Sequence, residues 1–132
     1  MTFDDWTDPE INKAVALSRG YLVKTEFHLG KIGFTEKYHR KYHGTIWIWA
    51  AKTDEHGCKC ECWEQFNCCR DPLDSWTIIT ENKIAIQPRA TSDEWFSFST
   101  CENEFEYIDK NPLRAAMIVY LMMKGVKPED KP

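Results

Sequence analysis

No motif with a known chemical mechanism occurs in this chain of 132 residues. It has no P-loop for phosphate, no G-x-G-x-x-G dinucleotide fingerprint and no G-x-S-x-G nucleophile elbow. No pattern assigns a histidine partner to any of the free cysteines. We therefore predict a protein that is not an enzyme, with no catalytic residue, no metal and no cofactor.

The chain also lacks a long apolar run and a surplus of positive charge. Nothing in it approaches the roughly 18 apolar residues of a membrane span, and the opening Met1 to Trp6 has neither the basic nor the apolar region of a secretory signal. Its 17 Lys and Arg against 21 Asp and Glu give a net charge of −4. This balance disfavours non-specific binding to nucleic acid. We expect a cytoplasmic protein without membrane or nucleic-acid partners, whose cysteines are reduced thiols.

The length and composition predict one domain. With 42% hydrophobic and 29% charged residues, the chain can bury a core without disulfides. No internal repeat or low-complexity segment is present. We expect a single α+β domain over residues 1–125 and a charged, frayed tail over residues 126–132, which carry two prolines.

Two similar helix starts, Asp71 to Trp76 and Asp109 to Arg114, organise the chain. In each, an Asp or Asn can accept hydrogen bonds from the first helical turn, and a Pro supplies a preset φ. An earlier helix is predicted from a cap at Asp8 to the region of Gly20. The last helix, Pro112 to Lys124, is apolar almost all the way round, so it should be buried on most of its circumference.

Between the helices, alternating patterns predict strands. Gly44 to Ala51 is the clearest: Ile46 and Ile48 share one face and Trp47 and Trp49 the other, which predicts a central strand covered on both sides. The other predicted strands are Tyr21 to Phe27, Ile84 to Ile86, Glu94 to Thr100 and Phe105 to Ile108. Gly30 to Gly44 is predicted to form a long loop or a ragged hairpin. The pattern predicts an α+β fold with an antiparallel or mixed sheet of 4–5 strands and three helices, in the order α-β-β-α-β-β-α.

Several of these segments resemble the NinX-like proteins of lambdoid phages and prophages. The similar runs are Asp71 to Ile79, Glu81 to Ile84, Asp109 to Met123 and Asp8 to Ala16. Thr77 stands where that family usually has Pro after the Trp, and Lys31 to Cys62 has no pattern that aligns. The resemblance implies a phage origin and a dispensable accessory role. It implies no catalytic residue, because none is established for that family.

Cysteines and histidines raise the alternative of a zinc site. The candidate ligands are Cys58, Cys60, Cys62, Cys68, Cys69, His39, His43 and His56. Structural zinc sites use C-x₂₋₄-C pairs, whereas alternating cysteines on a strand lie roughly 6.5 Å apart. We therefore interpret the cysteines as small buried residues and ordinary thiols. A small zinc-stabilised regulatory or nucleic-acid-binding module is the alternative.

Tryptophan is abundant, with six indoles in the chain. Core packing is the first interpretation, because aromatic side chains dominate many small cores. The second is a groove in which indoles stack on a planar ligand or anchor a partner. The ligand-binding candidates for that groove are Trp47, Trp49, Asp71, Asp74, Trp76, Asn82 and Trp95.

Together these observations predict a non-enzymatic phage accessory protein in the cytoplasm of the bacterial host. It would bind a host component, either a protein or a small nucleotide-like signal, to favour the phage, with counter-defence as one use. Self-association into a homo-oligomer is compatible with the sequence. The two aspartates also have structural interpretations, Asp71 as a helix cap and Asp74 as a negative charge near a helix N-terminus.

Overall fold

A computed structural model describes residues 2–24, 46–53, 56–57, 59–101 and 104–132 of the chain. The predicted loop from Gly30 to Gly44 lies outside these residues. In the described part the helices are α1 (Asp8–Ser18), α2 (Pro72–Glu81) and α3 (Pro112–Met123). The strands are β1 (Val23–Lys24), β2 (Ile46–Thr53), β3 (Lys59–Phe66), β4 (Ile84–Pro88), β5 (Trp95–Ser99) and β6 (Glu106–Asp109).

The strands form two antiparallel sheets, β1-β2-β3 and β4-β5-β6. The α+β class and the α-β-β-α-β-β-α order are confirmed, with one further strand in each β segment. The strands do not join into one sheet, because each pairs with its neighbour in sequence and α2 separates the two groups. β2 is the central strand of its sheet, as its two-sided pattern predicts.

Helix α3 lies at the centre of the molecule. Every residue from Ala115 to Leu121 is at most 2% exposed. The helix contacts α1, α2 and all three strands of the second sheet, while α1 also contacts β1 and β2 of the first sheet. The prediction that α3 is buried on most of its circumference is therefore confirmed.

The helix ends follow local sequence signals with one exception. Asp71 Oδ1 accepts a hydrogen bond from Leu73 N (3.0 Å), and Asn111 Oδ1 accepts one from Leu113 N (3.0 Å), so both predicted caps are present. Asp8, in contrast, is the first helical residue of α1, and Thr7 occupies its cap position. The prediction that Asp8 is the cap was wrong, and its carboxylate instead forms ion pairs with Arg70 and Arg114.

The chain ends contact each other. Trp6 Nε1 donates a hydrogen bond to Pro128 O (3.1 Å), and Lys131 Nζ donates to Asp5 O (3.1 Å). Lys131 Nζ also lies 3.1 Å from Glu10 Oε2. These contacts place the C-terminal residues against the N-terminal turn and α1. Among the described residues, no helix combines the length and the apolar character needed to cross a bilayer.

Candidate functional site

The seven predicted ligand-binding residues lie on three different elements. Two belong to the first sheet, four belong to α2 or its caps, and one begins a strand of the second sheet. In that order they are Trp47 and Trp49; Asp71, Asp74, Trp76 and Asn82; and Trp95.

The three sheet tryptophans are half-buried. Trp47 and Trp49 alternate along β2 with the buried Ile46 and Ile48, so they lie on the opposite face of the strand. Both indoles have interaction partners within the chain. Trp95 is paired in register with Pro88 and Asp109. Partial burial in two separate sheets agrees with a packing role, and a ligand-binding role for these indoles stays a prediction.

The polar candidates hold α2 in place. Besides the Asp71 cap, Asp74 Oδ2 accepts a hydrogen bond from Asn67 N (2.9 Å), which fixes the entry to the helix. At the other end, Asn82 Nδ2 donates to Ile78 O (2.8 Å). These bonds position the helix, so a direct role of these three side chains in ligand binding stays a prediction.

A buried asparagine anchors the segment before α2. Asn12 is 0% exposed, and its Oδ1 accepts hydrogen bonds from Cys69 N (3.1 Å) and the Cys68 thiol (3.2 Å). Its Nδ2 donates to Asn67 Oδ1 (3.0 Å). Asn111 Nδ2 completes the anchor by donating to Cys69 O (2.7 Å). The sequence analysis did not identify this anchor. The signal for it in the sequence was a polar residue, Asn12, beside the apolar face of α1.

Cys68 and Cys69 are free thiols inside the core, both 0% exposed. Burial, reinforced by the neighbouring Cys69, raises the pKa of the Cys68 thiol well above its usual range. Since the thiolate is the nucleophile and the metal ligand, a neutral buried thiol is chemically inert. Cys69 is equally closed to solvent, so both cysteines pack in the core.

The structure describes only some of the candidate zinc ligands. The described residues contain no group of three His, Cys, Asp or Glu side chains that could hold a metal ion. His56 is exposed. The side chains of the remaining candidates, Cys58, Cys60, Cys62, His39 and His43, lie outside the described residues. For them the zinc interpretation stays a prediction.

An arginine cluster ties the N-terminal segment to α3. The Arg114 guanidinium donates to Trp6 O (2.7 Å) and Phe3 O (3.3 Å), and its Nε lies 3.1 Å from Asp109 Oδ2. Its other terminal nitrogen lies 3.6 Å from Asp8 Oδ1. The Arg114 side chain is only 12% exposed. Because its donors face carboxylates and carbonyls of the chain, Arg114 has a structural role. No local sequence pattern predicts this role.

The outward face of α2 carries two large apolar side chains. Leu73 is 85% exposed and Trp76 is 64% exposed. They are three residues apart and so share one helix face, while the buried Ile78 lies on the opposite side of the helix. We call Leu73 and Trp76 the α2 patch. Leu73 is the most exposed large hydrophobic residue in the described part of the chain.

The charges at the two ends of α2 differ in availability. Arg70 Nε pairs with Asp8 Oδ2 at 2.9 Å, and Glu81 Oε2 pairs with Arg19 at 3.1 Å. Asp71 is exposed, and within the described part of the chain its carboxylate forms no ion pair. A carboxylate is thus the available charge next to Leu73.

Comparison with protein families identifies the origin of the chain. The model of the family described as Bacteriophage P22, NinX matches residues 3–124. The chain belongs to this phage family. The match confirms the resemblance seen in the helix segments and extends through the stretch from Lys31 to Cys62, where no pattern aligned. No curated protein and no solved structure matches the chain.

Proposed function

We propose that this NinX-family chain is a non-enzymatic phage accessory protein that binds a host protein through the α2 patch. The observation that carries the proposal is the joint exposure of Leu73 and Trp76 on one face of an anchored helix. Family membership supports the phage origin, and with it a site of action in the cytoplasm of the bacterial host. Interference with a host defence protein is one use of such binding.

The energetics of the α2 patch suit a protein interface. Fully burying a large apolar side chain is worth roughly 1.5–3 kcal/mol, so covering Leu73 and Trp76 supplies several kcal/mol. Tryptophan is among the residues most enriched at binding hot spots. Because caps and buried contacts already fix α2, binding would lose little conformational entropy in the helix.

The charge beside the α2 patch favours a protein over a nucleotide-like ligand. A nucleotide carries phosphate, which arginine binds well, yet Arg70, just before α2, is paired with Asp8. The exposed Asp71 carboxylate would repel phosphate. A partner with an apolar groove and a Lys or Arg at its edge fits both features. This is the arrangement in which an amphipathic helix lies in a groove of its partner.

The test compares a substitution in the α2 patch with a control elsewhere. Trp76→Ala removes the larger side chain of the patch, and Thr91→Ala changes an exposed residue outside α2. Proteins captured from infected cells are quantified for each variant, and the candidate partner is then purified for titration. We expect Trp76→Ala to weaken binding by about 2 kcal/mol or more, roughly thirtyfold, and Thr91→Ala to leave it unchanged.

A further variant addresses the chemistry of the partner. Asp71→Asn keeps a residue that caps helices well and removes the charge. We expect it to reduce the association rate and its salt dependence while leaving the melting temperature unchanged. If the same partner bound Trp76→Ala and the unmodified protein equally, the α2 patch would not be the binding surface. If the captured component were a nucleotide, the class of partner would be wrong.

A further inference from the structure

A second feature, independent of the α2 patch, is an apolar groove of about 470 Å³. It lies between the N-terminal turn, β6 and the end of α3. Its lining residues are Thr2, Phe3, Phe105, Tyr107, Met122, Gly125, Val126, Lys127 and Pro128. The volume falls within the range of about 300–1,000 Å³ typical of small-molecule sites. Among the described residues that line it, Lys127 alone carries a charge.

The walls of the groove are built by local backbone geometry. Gly125 has a φ of 79°, and Gly125 N donates to Met122 O (3.0 Å) while Val126 N donates to Leu121 O (3.0 Å). This pair of bonds is a Schellman motif, which ends α3 and turns the chain back. The hydrogen bond from Trp6 Nε1 to Pro128 O then fixes the returning chain. The groove is therefore present before any ligand arrives.

The polar atoms around the groove are unequally available. The Tyr107 hydroxyl donates to Asp4, and burial together with this carboxylate raises the pKa of the phenol, so it stays protonated and engaged. The Lys127 backbone N–H donates to Asp130 Oδ2 (2.9 Å). No carboxylate lies within ion-pair distance of the Lys127 ammonium in the part of the chain described. The free charge of the groove is thus one cation at an apolar wall.

We propose that this groove binds a free alkyl carboxylate, a medium-chain fatty acid, with the carboxylate at Lys127. The alkyl chain lies against the apolar wall that includes Met122 and Val126. The positive charge of Lys127 favours a negatively charged head group, and the apolar wall favours an alkyl chain.

A free molecule fits better than a lipid bilayer. The strongly exposed large apolar side chains of the described residues are Leu17, Leu22, Leu73, Trp76 and Ile108. None of them lines the groove. Peripheral membrane binding is strengthened by exposed apolar side chains and by attraction to anionic lipids, and this chain has a net charge of −4.

The experiment uses the full chain with ¹³C-labelled methionine methyl groups and decanoate as the probe. Met122 lines the groove, whereas Met117, on the same helix, is 0% exposed and does not. We expect saturable shifts of the Met122 methyl signal and none for Met117. Each methylene removed should weaken binding about fourfold, so octanoate should bind roughly fifteenfold more weakly than decanoate.

Charge reversal tests the head group. Lys127→Glu should weaken decanoate binding by at least about fivefold and favour decyltrimethylammonium. Lys110→Glu makes the same charge change at an exposed residue outside the groove and should leave both affinities unchanged. Equal binding of both probes by the unmodified protein would overturn the proposal. So would an unresponsive Met122 signal, or a Met122 signal that changes only with protein concentration, since a second copy would then fill the groove.

Discussion

Replacing Arg114 by Met should remove several kcal/mol from the free energy of unfolding. The substitution keeps the apolar stem of the side chain but leaves the carbonyls of Phe3 and Trp6 and the Asp109 carboxylate without this donor. Breaking a buried ion pair by removing one partner costs about 3–5 kcal/mol. Because the Arg114 side chain is 12% exposed, we expect a loss of about 3 kcal/mol. For a domain of this size that lowers the melting temperature by roughly 10 °C.

The matched control is Arg70→Met. Arg70, like Arg114, pairs with the Asp8 carboxylate, but the Arg70 side chain is 68% exposed. An exposed ion pair contributes at most about 1 kcal/mol, so this variant should unfold almost like the unmodified protein. Urea unfolding monitored by circular dichroism measures both variants. Equal losses for the two substitutions would refute the argument, because burial would then not decide what the arginine contributes.

Two further pairs of variants and one analysis test the structural assignments. Leu121→Ala should lower the free energy of unfolding in urea by about 2–5 kcal/mol, because the side chain is fully buried. Leu73→Ala, at an 85% exposed position, should change it by less than about 0.5 kcal/mol. Similar losses for both variants would contradict the difference in burial. Lys83 has a φ of 51°, so Lys83→Gly should stabilise the protein by up to about 1 kcal/mol, while Gly20→Ala, at a φ of 80°, should destabilise it by a similar amount; opposite shifts of the melting temperature would refute this. Elemental analysis of untagged protein should find no stoichiometric zinc, and one zinc per chain would favour the metal-stabilised alternative.

The elements that sequence predicted are those specified by local signals. The Asp71 cap, the central position of β2 and the apolar circumference of α3 each depend on residues close together in the chain. A strand pattern gives the faces of a strand but not its partners, which is why one sheet was expected where two exist.

The contacts that sequence did not predict join distant residues. Arg114 meets the carbonyl oxygens of Phe3 and Trp6, more than 100 residues earlier in the chain. The Asn12 amide likewise binds Cys68 and Cys69 across more than 50 residues. The spacing of such residues along the sequence does not predict that they lie close together in the fold. Asp8 is a further example, since its pairs with Arg70 and Arg114 join residues that are far apart in the sequence.

Two tryptophans show why packing alone does not account for the α2 patch. Trp6 is 2% exposed, and its indole N–H is satisfied by Pro128 O. Trp76 is 64% exposed, and no described group accepts a hydrogen bond from its indole. Thr77 and Thr80 are polar residues that are exposed on the same helix. The exposed indole of Trp76 thus differs from the buried indole of Trp6, and the titration of Trp76→Ala tests whether a partner covers it.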